Sequence, residues 1–105
     1  MPNVISLRQA LQAQAAAQVS QYPQYAGHFD DYKIVRIVKQ IKTKSGVAFE
    51  KDEFAIAKPV IEHFTRPNGR RGQGITVWSI KRGWDVGVLR KDVDIVEGLF
   101  TNVEI

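Results

Sequence analysis

The chain has 105 residues, 44% of them apolar and 10% aromatic, which suits one domain with an ordinary core that needs no metal or disulfide support. It contains no cysteine, which excludes a disulfide framework, thiolate metal sites and thiol nucleophiles. The net charge of +4 is modest but unevenly placed: five cations and no anion lie between Lys33 and Lys44, seven cations against Asp85 alone between Arg66 and Lys91, and four carboxylates with no cation from Asp92 onward.

Such asymmetry permits an electropositive face that attracts polyanions, or a surface whose basic and acidic segments neutralise one another. No apolar run approaches the roughly 20 residues needed to span a bilayer. The N-terminus lacks a basic region followed by an apolar one, so the expected setting is cytoplasmic, with no membrane association.

Ser6 and Gln9 match a capping box, and a helix is expected from about Leu7 to Val19 in the Ala/Leu/Gln run. Leu7, Leu11, Ala15 and Val19 fall on one stripe of it. That stripe either covers a face of the domain or serves self-association, because an isolated helix of this length is marginal in water. Ser20 to Asp31 is an aromatic linker carrying Tyr22, Tyr25 and Phe29, with Pro23 and Gly27 as punctuation. His28, Asp30 and Asp31 lie close together, but their spacing matches no metal-ligand pattern, and they read as turn residues.

Tyr32 to Ile41 is β-branched and reads as one strand, with Val35, Ile37 and Ile41 on one face and Ile34 and Val38 on the other. Apolar residues on both faces require an outer cover, for which the N-terminal helix is available. The cations Lys33, Arg36, Lys39 and Lys42 recur every three residues and so alternate between faces of a strand. Thr43 to Gly46 is a hairpin turn, Val47 to Glu50 a strand, Lys51 to Glu53 a charged turn and Phe54 to Ala57 a third strand ended by Pro59. Val60 to Phe64 is expected as an extended or edge segment, since Pro59 cannot donate to a central ladder. His63 within it reads as a surface residue.

Arg66 to Gly74 carries three glycines, a proline and three arginines, and reads as a loop. It is either a mobile finger for phosphates or acidic surfaces, or a solvated hairpin loop. Ile75 to Ile80 alternates as a strand, with Trp78 in the core. Lys81 to Asp85 turns the chain, placing Trp84 either as a lid on the barrel end or as a partly exposed anchor. Val86 to Leu89 and Val93 to Val96 are strands flanking the turn Arg90–Lys91–Asp92. The tail through Leu99, Phe100, Val103 and Ile105 is too apolar to be left in water.

Five or six short strands with charged turns predict a mainly β fold: a small, strongly bent antiparallel barrel with an N-terminal helix. Residues 1–31 form the helix and linker, and residues 32–105 the barrel, as one compact unit. Gly87–Val96 resembles the end of an SH3-like barrel, where a strand runs into one 3₁₀ turn and a closing strand, and Trp78 is placed like the middle strands of such barrels. The resemblance is architectural. The proline that peptide-binding SH3 domains carry before that turn is absent, with Leu89 and Arg90 in its neighbourhood, so proline-rich peptide recognition is not implied.

The residues offer no catalytic constellation, cofactor site or metal site. The expected function is a non-enzymatic module that docks a protein partner or self-associates. The alternative is nucleic-acid binding, with Arg66, Arg70, Arg71, Lys81 and Arg82 as a basic rim and Trp84 as a stacking platform. The first reading draws on the apolar helix, the apolar tail and the Trp84 turn. Around Ile75–Val96 the candidate site is the margin where the Arg66–Gly74 loop is expected to meet the Lys81–Asp85 turn.

Overall fold

The computed structural model describes residues 4–21, 24, 27 and 29–105, without the side chains of residues 4–6, 15 and 18–21. The readings made for Tyr22, Pro23, Tyr25 and His28, and for the side chains of Ser6, Ala15 and Val19, fall outside it. Helix α1 (Val4–Gln21) leads into β1 (Lys33–Ile37), β2 (Ile41–Thr43), β3 (Gly46–Phe49), β4 (Phe54–Ala57), β5 (Val60–Thr65), β6 (Arg71–Ser79) and β7 (Trp84–Leu89). A 3₁₀ turn (Arg90–Asp92), β8 (Val93–Ile95) and β9 (Thr101–Glu104) complete the chain. Val4 and Ile5 are already helical, so the expected capping box does not set the start of α1.

Seven strands build one strongly curled open sheet, a half-barrel, in the order β8-β1-β4-β6-β5-β9, with β7 on the other edge of β6; β2 and β3 form a separate hairpin. The expectation of a purely antiparallel sheet is corrected by β9, which runs parallel to β5 from Val60↔Thr101 to His63↔Glu104. The cause lies in the return path. After β8 the chain turns at Gly98 (φ +76), Phe100 packs against the core, and the Thr101 N–H meets the Pro59 carbonyl at 3.0 Å. The chain therefore enters alongside the start of β5 and runs its way. The same pairing makes β5 an interior strand with β6 on one side and β9 on the other, so the segment is extended as expected but does not lie at an edge.

The single strand expected from Tyr32 to Ile41 breaks after Ile37. The Ile37 N–H to Glu53 O bond (2.8 Å) and the Val38 N–H to Asp92 O bond (3.0 Å) are the last rungs in register with β4 and β8, and the Asp52 N–H, one residue out of register, takes Ile37 O at 2.7 Å. Face assignment follows the alternation regardless. Val35, Ile37, Phe49, Ile75, Val77, Val86, Val88 and Val93 fill the inner core. Ile34, Ile56 and Trp78 form an outer cluster with Leu11 and Tyr32, against which Leu7 and Phe29 also pack. The helix thus covers the outer face of its own sheet, and this burial supplies the tertiary support that an isolated amphipathic helix lacks.

The basic and acidic segments do meet. Each carboxylate after residue 91 faces a cation: Asp92 with Lys39, Asp94 with Arg36, Glu97 with Arg8, and Glu104 with Arg71. Among the described residues, no helix is long and apolar enough to cross a membrane.

Candidate functional site

The site grows out of unequal pairing along β6. On one edge, β5 pairs with Arg71–Gly74 and β4 with Val77–Trp78. On the other, β7 covers only Gly74 to Ser79. Arg71, Gly72 and Gln73 therefore have a neighbouring strand on one side alone. Ladder groups point alternately to the two sides of a strand, so part of this backbone presents N–H and C=O groups at an open edge.

Opposite that edge, the chain leaves β7 at Leu89 and enters the 3₁₀ turn. The result is a notch of about 270 Å³ lined by His63, Arg66, Arg71, Gly72, Gln73, Leu89, Arg90 and Lys91. Five of these eight side chains are basic and none is acidic.

Each wall is tied down locally. The Arg66 N–H bonds Arg70 O at 2.7 Å, the Gly69 N–H bonds Arg66 O at 2.9 Å, and Asn68 Oδ1 accepts from the Arg70 N–H at 3.0 Å. Gly69 takes the left-handed conformation (φ +83) that closes this turn. The nine-residue loop expected here is thus a five-residue turn, with Gly72 and Gly74 inside β6. On the opposite wall, the Arg90 guanidinium donates to Val93 O at 2.8 Å, and the Asp92 side chain is buried behind the turn.

Among the described residues, Arg71 carries the one ion pair of the notch. Its Nη2 donates to both oxygens of Glu104 at 2.7 Å, which holds that carboxyl below the usual glutamate range. His63 Nε2 lies 2.7 Å from Asn102 Oδ1. Among the described residues, no carboxylate forms an ion pair with Arg66, Arg70, Arg90 or Lys91. The net positive charge of the chain therefore finds little local compensation here.

The sequence-derived candidates divide between two places. Arg66 and Arg71 line the notch, and Arg70 stands exposed on the turn beside it. Trp84 pairs with Ser79 at the far end of β6, eight residues from Arg71 and about 26 Å away along a regular strand. The loop and the Lys81–Asp85 turn do not meet. At that end Trp84 is 45% exposed, and the Arg82 guanidinium is spent on the Ser45 carbonyl, tying the β6–β7 turn to the β2–β3 hairpin. Lys81 is exposed there. Of the self-association candidates, Leu11 is buried and Leu7 half-buried against the chain's own sheet.

Sequence reasoning missed His63, Arg90 and Lys91 as partners of Arg66 and Arg71. Their common location depends on where β7 stops along β6, which composition does not reveal. The one usable signal was the strand–3₁₀–strand pattern at Gly87–Val96, which places Arg90 and Lys91 on a turn beside an interrupted ladder.

The notch contains charge-assisted donors and an open strand edge. Arginine forks of this kind match carboxylates and other planar or tetrahedral anions. Among the described residues, no group of three or more His, Asp or Glu side chains is placed to hold a metal ion. No family model matches the sequence, and neither a curated protein nor a solved structure matches the chain.

Proposed function

We propose that this chain is a non-enzymatic binding module: an SH3-like half-barrel that docks protein partners by receiving an acidic segment in the notch between the Arg66–Arg70 turn and the 3₁₀ turn. The observation that carries this reading is the gathering of His63, Arg66, Arg71, Arg90 and Lys91 around one notch beside an open stretch of β6, with no acidic side chain in its lining and Glu104 on Arg71 at its margin. An extended acidic peptide can place carboxylates on the arginines while its backbone approaches Arg71–Gln73, as in strand addition.

A nucleic-acid reading needs an exposed aromatic platform beside the basic rim. Trp84 stands at the other end of β6, the notch lining contains no aromatic ring except His63, and the neighbouring Phe64 ring is half-buried across Gly72. This favours an acidic protein segment over a single-stranded nucleic acid.

Fluorescence anisotropy with a short fluorescein-labelled oligo-glutamate peptide and a labelled oligothymidylate, across a salt series, tests the proposal. The peptide is expected to bind at low salt and to weaken as salt rises. The double reversal Arg66→Glu/Arg90→Glu should cost at least about tenfold in affinity, and Trp84→Ala should leave it unchanged. No peptide binding at low salt, or binding indifferent to the reversal, overturns the proposal. Preferential binding of oligothymidylate that depends on Trp84 overturns it in favour of nucleic acid.

A further inference from the structure

Beside the notch, on the outer face of β6 and β7, lies a depression of about 240 Å³ lined by Glu62, Phe64, Gly74, Ile75, Thr76, Gly87, Val88 and Leu89. Helix α1 covers the Ile34–Ile56–Trp78 part of the outer face and leaves this part open. Its floor is bare backbone because two glycines stand where side chains would project. A Cβ built on Gly87 meets nothing within 4 Å, and one on Gly74 makes only ordinary contacts with Phe64 Cε1 at 3.5 Å and Val88 O at 3.6 Å. The Phe64 ring, which runs from Gly72 to Gly74, forms one wall. Leu89 forms another and also lines the notch, so the two hollows adjoin across a single side chain.

We infer that the notch and this depression form one two-part site, whose ligand is an acidic peptide segment with a bulky apolar side chain next to its acidic residues. This rests on the reading of the notch as an acidic-segment site and adds the anchor that determines which acidic segment binds. The charges support the assignment of ends. The notch lining is basic, whereas the depression contains a single carboxylate, Glu62, and otherwise apolar, glycine and threonine surface. Repulsion from Glu62 keeps the ligand's acidic residues at the arginines, and the depression is left for a side chain without charge. An apolar anchor in a pocket beside charge pairs is the usual division between affinity and orientation in peptide recognition.

The test compares two labelled peptides, oligo-glutamate and the same peptide with one central phenylalanine, against the wild-type chain, Gly87→Leu and Thr76→Phe. The two variants fill the depression from opposite strands, since Thr76 pairs with Gly87. The phenylalanine peptide should bind the wild-type chain roughly tenfold more tightly, from burial of one apolar side chain. Either filled variant should abolish that advantage while leaving oligo-glutamate affinity unchanged, with circular dichroism confirming that each variant is folded. Equal affinity of the two peptides for the wild-type chain, or an advantage that persists in a folded filled variant, overturns the two-part site. Failure of both peptides to bind the wild-type chain overturns the notch reading itself.

Discussion

The ring of Phe64 lies across Gly72, its register partner on the neighbouring strand, so closely that a Cβ on Gly72 would sit 2.5 and 2.6 Å from two ring carbons. This contact explains why a residue with no side chain occupies the middle of a β-ladder, and why it is buried. Arg66 Nε lies 3.1 Å from the same Cβ position, so a side chain there would crowd the guanidinium as well. Gly72→Ala is therefore expected to push the ring aside at a cost of about 1–3 kcal/mol, the range for overpacking a close contact. Phe64→Ala in the same chain should recover part of that cost. Chemical denaturation of both single variants and the double variant gives the coupling, and strict additivity would contradict the contact.

Leu11 links the helix to the outer cluster, at 6% exposure beside Ile34, Ile56 and Trp78. Leu11→Ala should destabilise the chain by about 2–3 kcal/mol, toward the low end for truncating a buried leucine because the site lies near the surface. Loosening the cover should admit water to Trp78, so its fluorescence should shift to the red before the main unfolding transition.

Tyr32 makes folding sensitive to alkali. Burial, then the negative charge of Asp85, the 3.0 Å hydrogen bond its hydroxyl donates to Asp85, and the charge of Asp31 together hold its ionisation well above the ordinary tyrosine range. Because the folded-state value is raised, the stabilisation is fully present below the unfolded value of about 10 and is lost as pH rises beyond it. The expected slope is at most about 1.4 kcal/mol per pH unit from this group. Tyr32→Phe should flatten that part of the stability profile, measured by denaturant melts between neutral and strongly alkaline pH. An unchanged slope would show that Tyr32 does not cause it.

Glu104 occupies Arg71 from within the same chain, through two 2.7 Å bonds on an exposed surface. Such exposed pairs are weak, so Glu104→Gln should tighten acidic-peptide binding by roughly two- to fivefold by freeing the guanidinium. Its lowered ionisation gives the opposite sign to that of Tyr32. The contribution is present above the ordinary glutamate value and fades as pH falls through the depressed one. An unchanged peptide affinity in Glu104→Gln would remove Arg71 from the proposed contact set.

Much of the barrel wall was legible in the residues. The alternation from Ile75 to Ser79 and the Phe54–Ala57 run declare their faces, because β-branched and aromatic side chains repeat with the period of the pleat. The apolar outer face of β1 likewise announced that a cover was required. The glycines misled for a physical reason. Gly69 is a turn residue with positive φ, whereas Gly72 and Gly74 are strand residues, Gly72 lying under the Phe64 ring, and composition does not separate these two uses. The parallel β9 and the notch were hidden because each depends on strand pairing between residues distant in sequence. Trp84 was legible only as either a lid or a partly exposed anchor, and its distance from the arginines was not legible, since nothing local sets the length of β6.

The central claim is that acidic segments bind at the notch and not at the tryptophan end of β6. Amide chemical-shift mapping of the ¹⁵N-labelled chain, titrated with the phenylalanine-bearing oligo-glutamate peptide, tests it most directly. The account predicts shifts concentrated at Gly72, Gln73, Leu89, Arg90 and Lys91, with the indole N–H of Trp84 unmoved. Shifts centred on Trp84, Lys81 and the β2–β3 hairpin, with the notch amides silent, would contradict it.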